Sequence, residues 1–353
     1  MSLIPPSDEQ GLGQGYHSPQ LDVDVRLNTN ESPLPPPAAW VDELQAEVGR
    51  IPFHRYPDRD ATELRAAIAD LHGVGPGQVF CANGSNEVLQ TLLLTYGGPG
   101  RTAAVFEPTY ALHSHICRLT RTAVAEGERN DDFTLDLVEV KRVLSEHRPA
   151  VTFLCSPNNP TGRVEPRDVV GHVLELAPGL VVVDEAYGQF AAWSALSLMA
   201  EGRPLVVVRT FSKTWSMAAA RLGYLVGPAE LVSELEKRAL PYHLDAMKQA
   251  AGRLALSHRA EMDARVAALV EERGRLASAL GGMDVDTWPS EANFILFRPR
   301  RAGGDQVWRA LLDHSVLIRN CSSWPRLDGC LRVTVGTPEE NSAFLAALAQ
   351  ALA

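Results

Sequence analysis

The sequence predicts an α/β fold in which a large, mainly parallel sheet is flanked by helices and joined to a smaller α/β unit. Four nearly continuous apolar runs, at 102–106, 150–155, 180–183 and 205–210, alternate with stretches of helical character. Such runs are typical of parallel strands that helices cover on both faces. Beyond Gly227 a long helical region is followed by short strands, which indicates the smaller unit.

Length and composition agree with this architecture. The chain has 353 residues, enough for about two domains. Hydrophobic residues make up 45% of it, which is ordinary for a globular protein with a sizeable core. We expect an N-terminal arm over 1–30, a large domain over 31–240 and a small domain over 241–353.

The N-terminal elements follow from local patterns. Residues 1–25 are rich in Gly and Pro and have no hydrophobic period, so they predict an arm. After a short strand from Val25, three prolines exclude regular structure until a helix near Ala38. Apolar residues at i, i+3, i+4 and i+7 predict a helix around 61–72. A strand then runs into the polar turn 83–87, where a helix begins.

The C-terminal part reads as helices followed by short strands. The region 228–280 is rich in Glu, Arg, Leu and Ala, with a break at 240–244. Three short apolar runs then predict strands, and a last helix begins near Pro338. These strands are expected at 293–297, 316–319 and 330–335.

Composition excludes several classes of function. The formal net charge of −10 argues against nonspecific nucleic-acid binding. No apolar run approaches the roughly 18 residues of a membrane span, and the N-terminus lacks the pattern of a signal peptide. Five dispersed cysteines without a C-x-x-C pair predict reduced thiols in a cytoplasmic protein and no metal site.

One strand ends in an unusual lysine. The run Val206-Val-Val208 leads into Ser212-Lys213, and lysines are almost never fully buried without a partner. An amine held beside apolar groups and other cations has a lowered pKa and can attack a carbonyl. The hydroxyls of Thr210 and Ser212 and the guanidinium of Arg221 are groups that hold phosphate. This combination predicts pyridoxal phosphate as cofactor.

Other polar side chains follow neighbouring apolar strands. In parallel sheets the carboxyl ends of the strands face one crevice, where ligands bind. The turn before the helix near 87 also offers free backbone N–H groups to an anion. The residues expected to meet in this crevice are Ser85, Tyr110, Asn159, Asp184 and Lys213.

These side chains suit the cofactor chemically. Asp184 can keep the pyridine nitrogen protonated, and Tyr187 can point its phenol into the same crevice. Asn159 can donate to the phenolate oxygen, and Tyr110 can stack on the ring. Arg332 can bind a substrate carboxylate. Lys213 would also move the proton at the substrate α-carbon.

Several motifs together resemble a known family. Ser156-Pro-Asn-Asn-Pro-Thr-Gly162, Asp184-Glu-Ala-Tyr187, Ser212-Lys213 and Arg221-Leu-Gly223 resemble the aspartate aminotransferase fold of pyridoxal-phosphate enzymes. Within that fold, further pieces resemble histidinol-phosphate aminotransferases. They are Asn30-Glu-Ser-Pro33, Arg55-Tyr-Pro-Asp58, Pro241-Tyr-His-Leu244, Ala292-Asn-Phe294 and Gly329-Cys-Leu-Arg-Val-Thr-Val-Gly-Thr337.

The resemblance implies roles for individual residues. It makes Lys213 the Schiff-base lysine, and it adds Ser85 and Asn86 to the phosphate site. Tyr56 would reach the cofactor phosphate of a neighbouring subunit, which implies a homodimer with shared active sites. The residues that it places with the substrate are Tyr16, Asn30, Arg319 and Arg332.

The substrate remains open between alternatives. The resemblance favours transamination between histidinol phosphate and 2-oxoglutarate, with an amino donor and a 2-oxo acid as the small-molecule partners. The same chemistry on aromatic amino acids is the second interpretation, because an imidazole pocket can also hold a phenyl ring. A threonine-phosphate decarboxylase-like lyase and a non-enzymatic cofactor-binding regulator are the remaining two. Ser32, Asn86, His243 and Thr214-Trp-Ser-Met217 differ from the usual family pattern.

Overall fold

A computed structural model describes residues 19–200 and 203–353. In this part of the chain the strands form two sheets. The strands are β1 (Val25–Leu27), β2 (Val79–Ala82), β3 (Thr102–Glu107), β4 (Ala123–Glu128), β5 (Val151–Cys155), β6 (Leu180–Asp184), β7 (Leu205–Thr210), β8 (Gly223–Val226), β9 (Val285–Thr287), β10 (Phe294–Pro299), β11 (Val316–Asn320) and β12 (Leu331–Thr334).

Helices connect most of these strands. Across the described ranges they are α1 (Ala38–Val48), α2 (Thr62–His72), α3 (Ser85–Tyr96), α4 (Leu112–Leu119), α5 (Leu137–His147), α6 (Arg167–Leu176), α7 (Ala229–Glu236), α8 (Ala246–Ser257), α9 (Arg259–Gly281), α10 (Gly304–Asp313) and α11 (Pro338–Leu352). Within residues 19–200 and 203–353, no helix is both long and apolar enough to cross a lipid bilayer.

The larger sheet has seven strands in the order β2-β8-β7-β6-β5-β3-β4. All pairs among β3 to β7 are parallel, whereas β8 runs antiparallel to both β2 and β7. The residues of β5, β6 and β7 are buried throughout. Apolar side chains on one face pack with α3, α4 and α7, and those on the other face pack with α5 and α6. The predicted helix-covered, mainly parallel sheet is confirmed.

The smaller sheet has five strands in the order β1-β11-β12-β10-β9. Four of them come from the C-terminal part of the chain, and α9, α10 and α11 contribute to their apolar core. The fifth, β1, comes from the segment that the sequence analysis assigned to an N-terminal arm. It pairs in parallel with β11, so that Val25 lies opposite Val316. Residues 25–27 therefore belong to the small sheet.

The two sheets bring the functional elements to one region. The carboxyl ends of β5, β6 and β7 point in the same direction because these strands are parallel. The turn between β2 and α3 lies beside them, since β8 joins β2 to β7 within the sheet. Strand β12 contributes Arg332 from the small sheet. A site between the two sheets results.

Candidate active site

A cavity of about 210 Å³ lies where the strand ends meet the small sheet. Its wall includes most of the side chains that the sequence singled out. The predicted residues that line it are Asn30, Ser85, Asn86, Tyr110, Asn159, Asp184, Tyr187, Thr210, Ser212, Lys213, Arg221 and Arg332. Residues from distant parts of the chain thus share one cavity.

Lys213 lies three residues after the end of β7, and its half-buried side chain lines this cavity. The Lys213 Nζ donates a hydrogen bond to the carbonyl oxygen of Thr29, 3.0 Å away, and lies 5.7 Å from the centre of the Tyr187 ring. Burial and the nearby charges of Arg332 and Arg221 lower the pKa of Lys213 to about 7. A neutral, nucleophilic amine is therefore accessible near neutral pH.

Asp184 ends β6 and is almost completely buried. One carboxylate oxygen, Oδ1, accepts a hydrogen bond from the backbone N–H of Ala186. The other, Oδ2, lies 3.0 Å from Nε2 of His113, which donates to it. The His113 ring stacks on Phe153, with 4.8 Å between ring centres and an interplanar angle of 11°. The carboxylate is thus fixed by two donors, one of which is a packed imidazole.

Tyr187 and Asn159 each have a partner that sets their orientation. Asn30 donates through its side-chain Nδ2 to the Tyr187 hydroxyl oxygen, 2.9 Å away. Arg332 donates to the Oδ1 atom of Asn159. Because its oxygen faces Arg332, the Asn159 amide presents its NH₂ group in another direction. Both residues line the cavity, where their side chains could donate to one common acceptor.

The other end of the cavity is formed by the first turn of α3. The helix begins at Ser85, two residues earlier than the sequence suggested, so Ser85 and Asn86 lie in the turn whose N–H groups lack intrahelical acceptors. Gly84 precedes them with φ of +83°, and a Cβ there would come within 2.7 Å of the Arg221 guanidinium. A glycine at position 84 therefore allows the Arg221 guanidinium to lie close to the backbone of the turn.

Hydroxyl groups complete the end of the cavity next to α3. The Thr210 hydroxyl donates to the Ser212 hydroxyl oxygen at 3.0 Å, and Arg221 donates to the same oxygen at 3.2 Å. Tyr110 donates to the Asn86 side-chain oxygen at 3.4 Å. Together with the helix N-terminus, these groups form an anion site with a positive dipole end, a guanidinium and hydroxyl donors.

Two predicted residues do not line the cavity. Tyr56 does not line the cavity; its side chain is 80% exposed and stacks on Tyr242, with ring centres 4.5 Å apart. Arg319 lies opposite Arg332 in the β11–β12 pairing and packs its guanidinium over Trp324. Tyr16 lies outside the described residues.

Other residues of the site were not identified from the sequence. Thr29, Cys155 and Ala186 line the cavity, and each is adjacent to or two residues from a predicted residue or motif. The sequence indicates His113 only weakly, as a histidine three positions after Tyr110 in the helix that follows a strand end. Its contact with Asp184 joins residues 71 positions apart, which no local pattern shows.

The donor set fits pyridoxal phosphate. An anion site, a buried carboxylate and a lysine amine are spaced around one cavity, as the phosphate, the pyridine nitrogen and the aldehyde of this cofactor require. Arg332 adds a second guanidinium, which is buried and whose acceptors, Asn159 and the Asn28 carbonyl, are neutral. Buried cations of this kind favour an anionic ligand.

Comparison with known proteins agrees with this chemistry. Residues 23–348 match the family model described as aminotransferase class I and II. The chain is 45% identical to the histidinol-phosphate aminotransferase of Frankia casuarinae, over 96% of this chain and 87% of the relative. The enzyme of the same name from Streptomyces avermitilis is also 45% identical, over 98% and 96% of the two chains.

A solved structure shows the same fold. The histidinol-phosphate aminotransferase of Sinorhizobium meliloti, determined in complex with pyridoxal 5′-phosphate, superposes with a TM-score of 0.88. It covers 99% of each chain at 20% sequence identity. The chain therefore belongs to the class I and II aminotransferase family, alongside the histidinol-phosphate aminotransferases that it resembles over nearly its whole length.

Proposed function

We propose that this aminotransferase uses pyridoxal phosphate to move an amino group between histidinol phosphate and 2-oxoglutarate in histidine biosynthesis. The observation that carries the proposal is the cavity in which the Lys213 amine, the Asp184 carboxylate and the anion site at the start of α3 converge. The 45% identity to curated histidinol-phosphate aminotransferases supports the substrate.

Pyridoxal phosphate, when bound, supplies the aldehyde that takes the amino group and the ring that accepts the electron pair released at the substrate α-carbon. Lys213 would remove the proton from the α-carbon of the amino donor and, in the reverse half-reaction, add a proton at the α-carbon of the 2-oxo acid, which its lowered pKa favours near neutral pH. Asp184, held by His113 and the Ala186 N–H, keeps a proton on the pyridine nitrogen. Tyr187 and Asn159, which line the cavity, would donate to the ring oxygen.

Two arginines suit the substrate anions. Arg332 and Arg319 face each other across the β11–β12 pairing, and both are nearly buried. Within the described residues, the Nε of Arg332 has no hydrogen-bond partner, although it is shielded from solvent. A carboxylate or phosphate oxygen would satisfy this donor. We assign the carboxylate beside the reacting carbon of glutamate or 2-oxoglutarate to Arg332 and a distal substrate anion to Arg319.

We also infer a homodimer in which Tyr56 serves the active site of its partner. Tyr56 and Tyr242 form an exposed aromatic pair, and Phe53 and Leu240 beside them in sequence are 66% and 76% exposed. An exposed apolar surface of this kind favours burial against another chain. We further propose a cytoplasmic location, supported by five cysteines that are all free thiols.

An absorbance titration tests the proposed function. The purified, cofactor-loaded protein should show a band near the visible edge that Lys213→Ala abolishes and that the control Lys237→Ala, an exposed lysine, retains. Histidinol phosphate should convert this band to that of the amine form at much lower concentration than phenylalanine.

Other outcomes would select other functions. Conversion by phenylalanine at the lower concentration would indicate an aromatic aminotransferase, and release of carbon dioxide would indicate a decarboxylase. Bound cofactor without transamination of any donor would favour a regulator. If the wild-type protein showed no band even with added cofactor, the whole proposal would be wrong.

A further inference from the structure

A chain of hydrogen bonds runs from Thr334 through Asn30 to Tyr187. Asn30 follows β1, Thr334 ends β12, and all three side chains are nearly buried. The backbone N–H of Asn30 donates to the Thr334 hydroxyl oxygen at 3.0 Å. The same hydroxyl donates to Asn30 Oδ1 at 3.1 Å, and Asn30 Nδ2 donates to the Tyr187 oxygen at 2.9 Å.

The Thr334 hydroxyl determines which way the Asn30 amide faces. A backbone N–H can only donate, so the Thr334 oxygen accepts there, and its single proton needs a different acceptor. Asn30 Oδ1 is that acceptor. In the flipped amide, NH₂ would face Thr334 and the buried hydroxyl proton would lose its acceptor, which is unfavourable. Asn293 also holds the backbone, since its Nδ2 donates to the Asn30 carbonyl at 3.2 Å.

This orientation has a consequence for Tyr187. Since its oxygen accepts from Asn30, its own O–H donates to a different acceptor. Tyr187 lines the cavity, where the ring oxygen of the cofactor would provide one. We propose that Thr334 and Asn30 are positioning residues that make Tyr187 a hydrogen-bond donor to the cofactor. The inference rests on the role of Tyr187 in the proposed function.

The test is a pH titration of the absorbance of the cofactor-loaded protein without substrate. A donor to the ring oxygen favours its anionic form, so losing that donor raises the pH midpoint of the absorbance change. In Tyr187→Phe we expect the midpoint to rise by about one pH unit. This rise corresponds to the free energy of one hydrogen bond to a charged group. Thr334→Val should give a similar rise, because the amide can then turn and accept the phenol proton.

Matched variants separate this effect from a general disturbance. Thr334→Ser keeps the hydroxyl and should keep the wild-type midpoint. The double variant Thr334→Val/Tyr187→Phe should shift no further than Tyr187→Phe alone, since Thr334 acts through Tyr187. Circular dichroism and the thermal midpoint check folding. If Thr334→Val does not fold, Thr334→Ala removes the same hydroxyl with a smaller side chain and should give the same shift.

Three results would overturn the inference. They are an unchanged midpoint in Thr334→Val when Tyr187→Phe shifts, an additional shift in the double variant, and an unchanged midpoint in Tyr187→Phe. Absence of the absorbance band from the wild-type protein would overturn the proposed function, and the inference with it.

Discussion

At the scale of single residues, the amine of Lys213 combines two requirements. It must be reachable for a ligand aldehyde, and it must shed its proton near neutral pH. The position of Lys213 on the cavity wall meets the first requirement. Burial and the charges of Arg332 and Arg221, which lower its pKa, meet the second. The same interactions make the protonated amine unfavourable in the folded protein.

This cost predicts a pH-dependent stability of the cofactor-free protein. Below pH 7 the folded and unfolded amines are both protonated, and the folded state carries the full cost. Between about 7 and the ordinary value of 10.5, only the unfolded state keeps the proton, so the free energy of unfolding rises with pH. Lys213→Met should therefore be more stable than wild type at pH 6, with a difference that shrinks toward pH 10.

Chemical unfolding at a series of pH values measures this difference. The control is Lys237→Met, which removes an exposed lysine and should give a small difference with little dependence on pH between 6 and 10. A Lys213→Met difference that stays constant over this range would contradict the lowered pKa.

Residues next to strand ends were predictable, and those that act through another residue were not. Lys213 and Asp184 follow apolar runs, so the parallel-sheet pattern alone predicts their meeting. His113 and Thr334 reach the site only through contacts with Asp184 and Asn30, across 71 and 304 positions of the sequence. Arg319 and Arg332 could be proposed as anion ligands, but their facing positions required the strand register.

At the scale of elements, the turn between β2 and α3 is held by the start of β8. Gly223 packs directly against it, and a Cβ at this position would come within 2.2 Å of the Ser85 nitrogen and 2.5 Å of the Gly84 carbonyl carbon. Both atoms belong to the backbone, so neither can move away without displacing the anion site. Position 223 therefore requires a glycine, because the backbone of the turn lies too close for a Cβ.

Gly223→Ala should lower stability by about 1–3 kcal/mol or more and weaken cofactor binding, because the turn that carries Ser85 must shift. Gly274→Ala is the matched control: this glycine lies inside α9 with no atom within 4 Å of an added Cβ. It should raise stability by about 0.5–1 kcal/mol and leave cofactor affinity unchanged. Thermal melts and cofactor titrations measure both, and equal effects of the two variants would refute the close-approach argument.

Element prediction succeeded where the hydrophobic pattern was strong. The buried strands β5, β6 and β7 and the helices α1, α2 and α11 begin within about two residues of their expected positions. Strand β4 was missed because it alternates exposed and buried residues and contains Glu and Gly. Strand β8 was missed because it has only four residues and begins with a glycine.

At the scale of the whole molecule, shared active sites predict complementation between two inactive variants. Lys213→Ala and Tyr56→Ala should each have little activity alone. Mixed under conditions that allow subunit exchange, they should regain about a quarter of the wild-type activity. Half of the dimers are then mixed, and each mixed dimer keeps one complete site of two.

The control mixture is Lys213→Ala with Asp184→Ala. Both residues belong to the site of the same subunit, so no mixed dimer has a complete site. Activity in the control equal to that of the test mixture, or none in either mixture despite confirmed exchange, would argue against the shared site.

The parallel pairing of β1 with β11 joins segments about 290 residues apart in the chain. During synthesis, Val25–Leu27 leaves the ribosome long before β11 has been made. Strand β1 therefore stays unpaired while the large sheet can already assemble. Thr29 and Asn30 follow that strand directly and contact Lys213 and Tyr187. Completion of the active site therefore depends on β11, and a polypeptide that stopped before residue 316 would lack the strand that holds Thr29 and Asn30 against Lys213 and Tyr187.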